Sequence, residues 1–361
     1  MKKRTIKILI TAILASVMLS GCLKDAMNDQ RDNVVNFTTT VASASDYLQT
    51  KASANEMMGA ETTLISEDGA ISLPLSFRST PGISVIDDIS NIPATKGDLI
   101  NDNDNGDLSN IDLPSTIGSF KVAAWTGTTA SIPAYTNVTY ADGKWSTATS
   151  YLWKKGETKT FVAYANLPAS GSSIVSTSAG TQALTHTVPT NVSDQKDILM
   201  GYYTGDGNGT GTAAITFYHP LTAVKVVAGE IEGIKSIKNI SLSGVYASGT
   251  TTQSAAGTTF TWSNTTATTT VSQTFSTPIS IPVSGDDKQL GDAFLLIPQE
   301  LTTAKTVTLT VTAVTSADKD IVLAAEIPAG NWLAGYTNAY TIVTGAGIST
   351  NQLDLYNGHL L

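Results

Sequence analysis

Short runs in which apolar and polar residues alternate recur along most of the chain, bounded by Gly, Asn, Asp and Pro. A period of two is what a strand with one buried face requires, and it predicts an all-β protein. Residues 120–125, 160–164, 214–217 and 306–311 are clear examples. Stretches long enough for amphipathic helices are scarce. The strictest alternation places Ile71, Leu73, Leu75 and Phe77 on one face, with Pro74 on the other. A proline donates no ladder hydrogen bond, so this strand is expected at a sheet edge or only partly paired. An edge strand is one that could be removed.

The pattern changes at the N-terminus. Met1-Lys2-Lys3-Arg4 precedes an apolar run over residues 6–19, the arrangement of a secretory signal peptide. The run is shorter than the roughly 20 residues of a membrane span. It closes on Leu19-Ser20-Gly21-Cys22, a lipobox around the chain's single cysteine. Small residues let a peptidase reach the bond, and the Cys22 thiol can carry a thioether-linked diacylglycerol with its fatty acyl chains, so Cys22 is the expected lipidation site. No thiol then remains for a disulfide. Residues 23–60 are polar and punctuated, with an apolar cluster only at 33–37, and read as a tether or loosely structured pro-segment.

Charge narrows the partners. The formal net charge is -9, and loss of residues 1–21 moves it to about −13. An acidic surface argues against nucleic acid and against anionic membrane bound through a basic patch. The remaining chain can bury one large or two medium cores. The glycine-rich run 204–212 could be a hairpin tip or a border between two β domains. Residues 248–275, nearly all Thr, Ser, Ala and Gly around Phe260 and Trp262, could be solvent-facing strands or a long decorated loop.

No catalytic centre can be assembled. His186, His219 and His359 are far apart and lack metal-site spacings or the partners of a nucleophile. His219, at a strand end, reads as a partly buried structural residue. Asn101, Asn103, Asn105, Gly106, Ser109 and Asp112 fall on EF-hand-like positions, but position one is Asn and position twelve is Asp rather than a bidentate Glu, so the run is read as a solvated acidic loop. The glycines at 205, 207, 209 and 211 open no helix and make no phosphate cradle. Trp125, Trp145, Trp153, Trp262 and Trp332 could stack on sugars, but such residues are more often core or rim. No carboxylate pair is singled out for glycoside hydrolysis. The expectation is a non-enzyme with no cofactor and no metal.

Taken in order, several pieces resemble the fimbrillins, subunits of the type V pili of Bacteroidales and their lipoprotein relatives. They are Phe120-Lys121-Val122-Ala123-Ala124-Trp125; Lys144-Trp145 with Tyr151-Leu152-Trp153; Phe161-Val162-Ala163-Tyr164-Ala165; Asp197-Ile198-Leu199-Met200-Gly201; and Phe217-Tyr218-His219-Pro220-Leu221. Ile237-Lys238-Asn239-Ile240-Ser241-Leu242, Leu296-Ile297-Pro298-Gln299 and Ile327-Pro328-Ala329-Gly330-Asn331-Trp332 follow. The resemblance spans most of the chain beyond about residue 94.

It implies two tandem transthyretin-like β-sandwich domains at 97–210 and 211–361, behind a signal peptide at 1–21 and a lipidated pro-segment at 22–96. It also implies export to the outer membrane as a lipoprotein, and then a cut after a basic residue. Lys96, followed by Gly97, is the expected cleavage point, with Arg78 as the alternative. The cut would free the strand of Ile71, Leu73, Leu75 and Phe77 and leave a groove for a strand of another pilus subunit. Four apolar side chains buried at about 1.5–3 kcal/mol each would contribute about 6–12 kcal/mol before ordering costs. The tail beyond residue 346, with Ile348, Leu353 and Leu355, is the candidate donor; it could equally be a strand of its own domain.

The function so implied is a structural pilus subunit, stalk or tip, of a cell-surface fimbrium serving adhesion or biofilm formation. The outer membrane is its partner through the lipid before processing, and a host or bacterial surface ligand is a further candidate partner. Two other readings stay open: a lipid-anchored module binding glycans or host ligands, and an uncleaved pilus anchor.

Overall fold

The computed structural model describes residues 32–42, 57–58, 62–69, 71–81, 117–178, 180–253, 259–264, 267–282 and 287–342. Cys22, Lys96, Gly97, the run 101–112, His359 and the tail with Ile348, Leu353 and Leu355 lie outside them. Within the described residues the chain is all-β, with 3-10 turns at Val192–Asp194 and Gly207–Gly209 and no α-helix.

Seven strands close a barrel: β2 (Asn36–Val41), β6 (Ser119–Thr126), β7 (Thr129–Ala141), β8 (Lys144–Thr147), β10 (Lys159–Ala165), β13 (Leu199–Gly205) and β14 (Thr212–Tyr218). Their order around the barrel is β10-β13-β14-β2-β8-β7-β6. Alternate residues fill it, among them Phe120 and Val122 of β6, Phe161 and Ala163 of β10, and Ala213, Ile215 and Phe217 of β14. A ribbon of β1 (Asn33–Val34) and β9 (Leu152–Trp153) lies beside them. The glycine-rich run is thus the tip of the β13–β14 hairpin. The border of the first body falls after Tyr218, not at residue 210, because the inward side chains of β14 complete the barrel core.

The second body is an 11-stranded sheet built from β3 (Met57–Met58), β4 (Thr62–Ser66), β5 (Ser72–Pro81), β15 (Thr222–Ala228), β16 (Ile234–Tyr246), β19 (Thr268–Ser280), β20 (Lys288–Gln289), β21 (Phe294–Leu296), β23 (Thr308–Thr315), β24 (Asp320–Glu326) and β26 (Tyr336–Ile342). Its main path runs β19-β16-β23-β24-β4-β5-β26-β15-β20. A ribbon of β22 (Gln299–Leu301) and β25 (Gly330–Trp332) is attached. A third sheet, β11 (Ser172–Ser178), β12 (Thr181–Thr187), β17 (Ser248–Gln253) and β18 (Thr261–Asn264), joins the bodies, since β12 follows the barrel strands and β17 follows β16. The Thr-rich residues 248–275 therefore include three strands rather than one long loop.

Two expectations about the N-terminal segment are corrected. The run 23–60 is no loose tether where it is described: it lends β2 to the barrel and β3 to the large sheet. Nor is β5 an edge strand. It pairs with β4 from Ser72 to Leu75 on one side and with β26 from Leu75 to Pro81 on the other. Pro74 is registered with Thr63 of β4, and among the described residues the β26 ladder ends at the pair Ile342–Leu75.

Candidate functional site

Both cores depend on side chains that the N-terminal segment brings. In the barrel, Val35, Phe37 and Val41 are each at most 5% exposed. The Phe37 ring stands edge-on to Phe120 at 5.7 Å and to Phe161 at 6.1 Å. Its neighbour on β14 is Ala213, whose small side chain leaves room for the ring. Thr39 Oγ1 accepts from Trp145 Nε1 at 3.1 Å. β2 runs parallel to β14 over six residue pairs, yet meets β8 at the single pair Phe37–Trp145. At the entrance the chain crosses Gly211, whose φ is +73; a Cβ there would lie 2.7 Å from Asn33 Cβ and from the Val34 carbonyl oxygen. Only glycine combines that φ with so close an approach.

In the second body the hairpin β4–β5 buries Leu64, Ile71, Leu73 and Leu75 almost completely, while Phe77 packs at 4.9 Å on Tyr340. Four such side chains at about 1.5–3 kcal/mol each are worth about 6–12 kcal/mol before ordering costs. The hairpin is held unevenly. β5 matches β26 over seven pairs, whereas β4 meets β24 only at Leu323–Ser66 and Ala324–Ile65. A groove of about 640 Å³ opens along that thin seam, lined by Thr62, Thr63, Ile65, Ala324 and Glu326 among others. Ile65 and Val322 stand about half exposed there.

The strand of Ile71, Leu73, Leu75 and Phe77 thus points inward as its alternation predicts, between two neighbours. Arg78, the alternative cleavage point, lies inside β5 opposite Ala339 on one side and Met58 on the other. The backbone beside it is engaged in a sheet, which disfavours a cut there. The role of Phe37 was missed by sequence reasoning; the apolar cluster at 33–37 was its only signal.

The remaining candidates are structural. Trp125, Trp145, Trp153 and Trp332 are buried, and half-buried Trp262 donates to the Pro220 carbonyl at 2.9 Å. The four buried rings present no open face for a sugar. His219 is buried more fully than expected, its Nδ1 2.9 Å from Asp197 Oδ1. His186 Nδ1 lies 2.7 Å from Ser172 Oγ, and burial lowers its pKa to about 4. Among the described residues no group of three His, Cys, Asp or Glu could hold a metal ion.

A family model described as fimbrillin-like matches residues 116–355, about two thirds of the chain. No curated protein matches it. Among solved structures, a candidate cell adhesion protein of Bacteroides ovatus is 14% identical, with 88% of this chain and 94% of that one covered, at a TM-score of 0.40. A candidate cell adhesion protein of Bacteroides fragilis is 11% identical, with 86% and 92% covered, at 0.37. The fimbrial anchor protein Mfa2 of Porphyromonas gingivalis is 15% identical, with 57% and 73% covered, at 0.29. These likenesses are weak, and the assignment rests on the family model: the chain belongs to the fimbrillin-like family.

Proposed function

We propose that this chain is a structural subunit of a cell-surface fimbrium, stalk or tip, exported as a lipoprotein on Cys22 and assembled by strand exchange after a cut at Lys96. The observation that carries the reading is that one N-terminal segment supplies buried strands to both bodies, β2 to the barrel and β4–β5 to the large sheet. All of these strands precede Lys96 in the chain. A single cut there separates them from the cores they complete, and their departure opens two apolar grooves with unpaired backbone. Such a groove is what an added strand fills. The tail with Ile348, Leu353 and Leu355 is the proposed donor. The same family carries adhesion as the proposed role, with other pilus subunits as partners.

A reversible staple tests this. Ile65 and Ala324 face each other across the thin seam. In a Cys22→Ser chain, Ile65→Cys with Ala324→Cys would tie the hairpin to the body. After cleavage the oxidised protein stays monomeric, and reductant releases polymerisation. Equal polymerisation with and without reductant would refute release of the hairpin as the trigger. N-terminal sequencing of the surface form decides the cut itself: Gly97 as first residue supports it, and a retained lipidated Cys22 favours a permanently anchored subunit.

A further inference from the structure

The two long strands lent by the N-terminal segment share a residue pattern forty positions apart. Val35, Phe37 and Thr39 in the barrel correspond to Leu75, Phe77 and Ser79 in the large sheet: apolar, aromatic and hydroxyl residues at alternate places. The two hydroxyls are not equally served. That of Thr39 is bonded to Trp145, as described above. Ser79 is 2% exposed and its Oγ has no hydrogen-bond partner; Asn338, directly opposite on β26, is 0% exposed and its Oδ1 has none either.

The Asn338 amide cannot be turned to cure this. Its Nδ2 donates to Thr222 Oγ1 at 2.9 Å and to the Ala223 carbonyl at 3.2 Å. A carbonyl only accepts, so a flipped amide would set oxygen against oxygen. Opposed residues of an antiparallel pair hold their side chains on one face, with Cβ atoms about 4.5–5.5 Å apart. Asn338 therefore holds a buried acceptor on the face it shares with Ser79, and the Ser79 hydroxyl leaves it unmet.

We propose that Asn338 is a specificity-determining residue of this groove, matched to a strand that brings a longer side-chain donor, an amide of Asn or Gln, to the place of Ser79. This deepens the assembly reading and rests on it: the partner is the exchanged strand of another subunit. It carries apolar residues at the places of Leu73 and Leu75, an aromatic ring at that of Phe77, and an amide at that of Ser79; this chain's own tail, where Asn357 and His359 follow Leu353 and Leu355 at alternate places, lacks that pattern, so the strand comes from a different kind of subunit. The resident hairpin is the weaker occupant, since two buried polar atoms in its interface go unpaired.

Hydrogen exchange of the uncut, full-length Cys22→Ser chain reads this acceptor without any assembly. Ser79→Asn slows exchange of the 75–80 amides about fivefold, the worth of one net hydrogen bond, while Ser79→Ala leaves it within about twofold. A Ser79→Asn chain with the wild-type far-UV spectrum that exchanges as fast as wild type or faster overturns the proposal. Should the larger residue disturb folding, the cut wild-type chain offers the groove to labelled peptides of sequence 73–81 carrying Ser, Ala, Asn or Gln at the 79 place. Fluorescence anisotropy then shows Asn or Gln binding about fivefold more tightly than Ser or Ala; equal affinities overturn the proposal. If no peptide binds, the groove takes no added strand, and the role of Asn338 in choosing one is overturned together with strand exchange; equal binding of all four peptides overturns the role of Asn338 alone.

Discussion

Phe37 shows how much one side chain from a distant segment can hold. Its ring closes the aromatic core of the barrel, and its backbone sits at the single ladder pair between β2 and β8. Phe37→Ala is expected to lower stability by about 3–5 kcal/mol, read as a shifted denaturant midpoint. His186 adds a pH dependence of known sign. Burial depresses its pKa to about 4, against about 6.5 in the unfolded chain. Below pH 6.5 the unfolded state takes up a proton that the native state refuses until about pH 4. Stability is therefore full above about 6.5 and falls as pH drops toward 4, by about 2 kcal/mol at pH 5. Urea midpoints at pH 7.5 and 5 measure it, and His186→Asn should flatten the difference.

Among the elements, strand parity was legible and strand neighbours were not. The alternation over 71–77 correctly set Ile71, Leu73 and Leu75 inward. The proline suggested an edge because local sequence cannot see that β26, from the far end of the chain, pairs with β5 from Leu75 to Pro81. The glycine run was open between tip and border for the same reason: the ladders to β13 and β2 and the packing of Phe217 against Phe120 place β14 in the barrel. The fit at Gly211 can be tested directly. Gly211→Ala forces a Cβ against Val34 and a strained φ, so residues 33–41 should become readily cleaved by a nonspecific protease while residues 62–81 stay protected. Equal protection of both segments would show that the crossing at Gly211 does not hold β2 in place.

For the whole molecule, the joint between the bodies is a continuous sheet. β12 and β17 pair over six residues, and Gln182, wholly buried, reaches from this sheet to the barrel. Its Nε2 donates to the Ala163 carbonyl at 2.9 Å and to Gln253 Oε1 at 2.6 Å. Gln182→Ala should uncouple the bodies, and calorimetry should resolve two thermal transitions where the wild type gives one, at a cost of about 1–3 kcal/mol. No polar residue in a Thr-rich stretch signals such a role from sequence alone. The threading of one segment through both bodies has a kinetic meaning as well. On the proposed pathway, a cut at Lys96 breaks no hydrogen bond of β2, β4 or β5 and removes no packed side chain. What it removes is the tether. Before the cut each strand faces its groove at an effective concentration of millimolar order, and any strand that strays returns. Afterwards β2 and β4–β5 tether only one another, and once both are out the whole segment is diluted away, so the cut acts as a one-way valve on an equilibrium whose contacts it never touches.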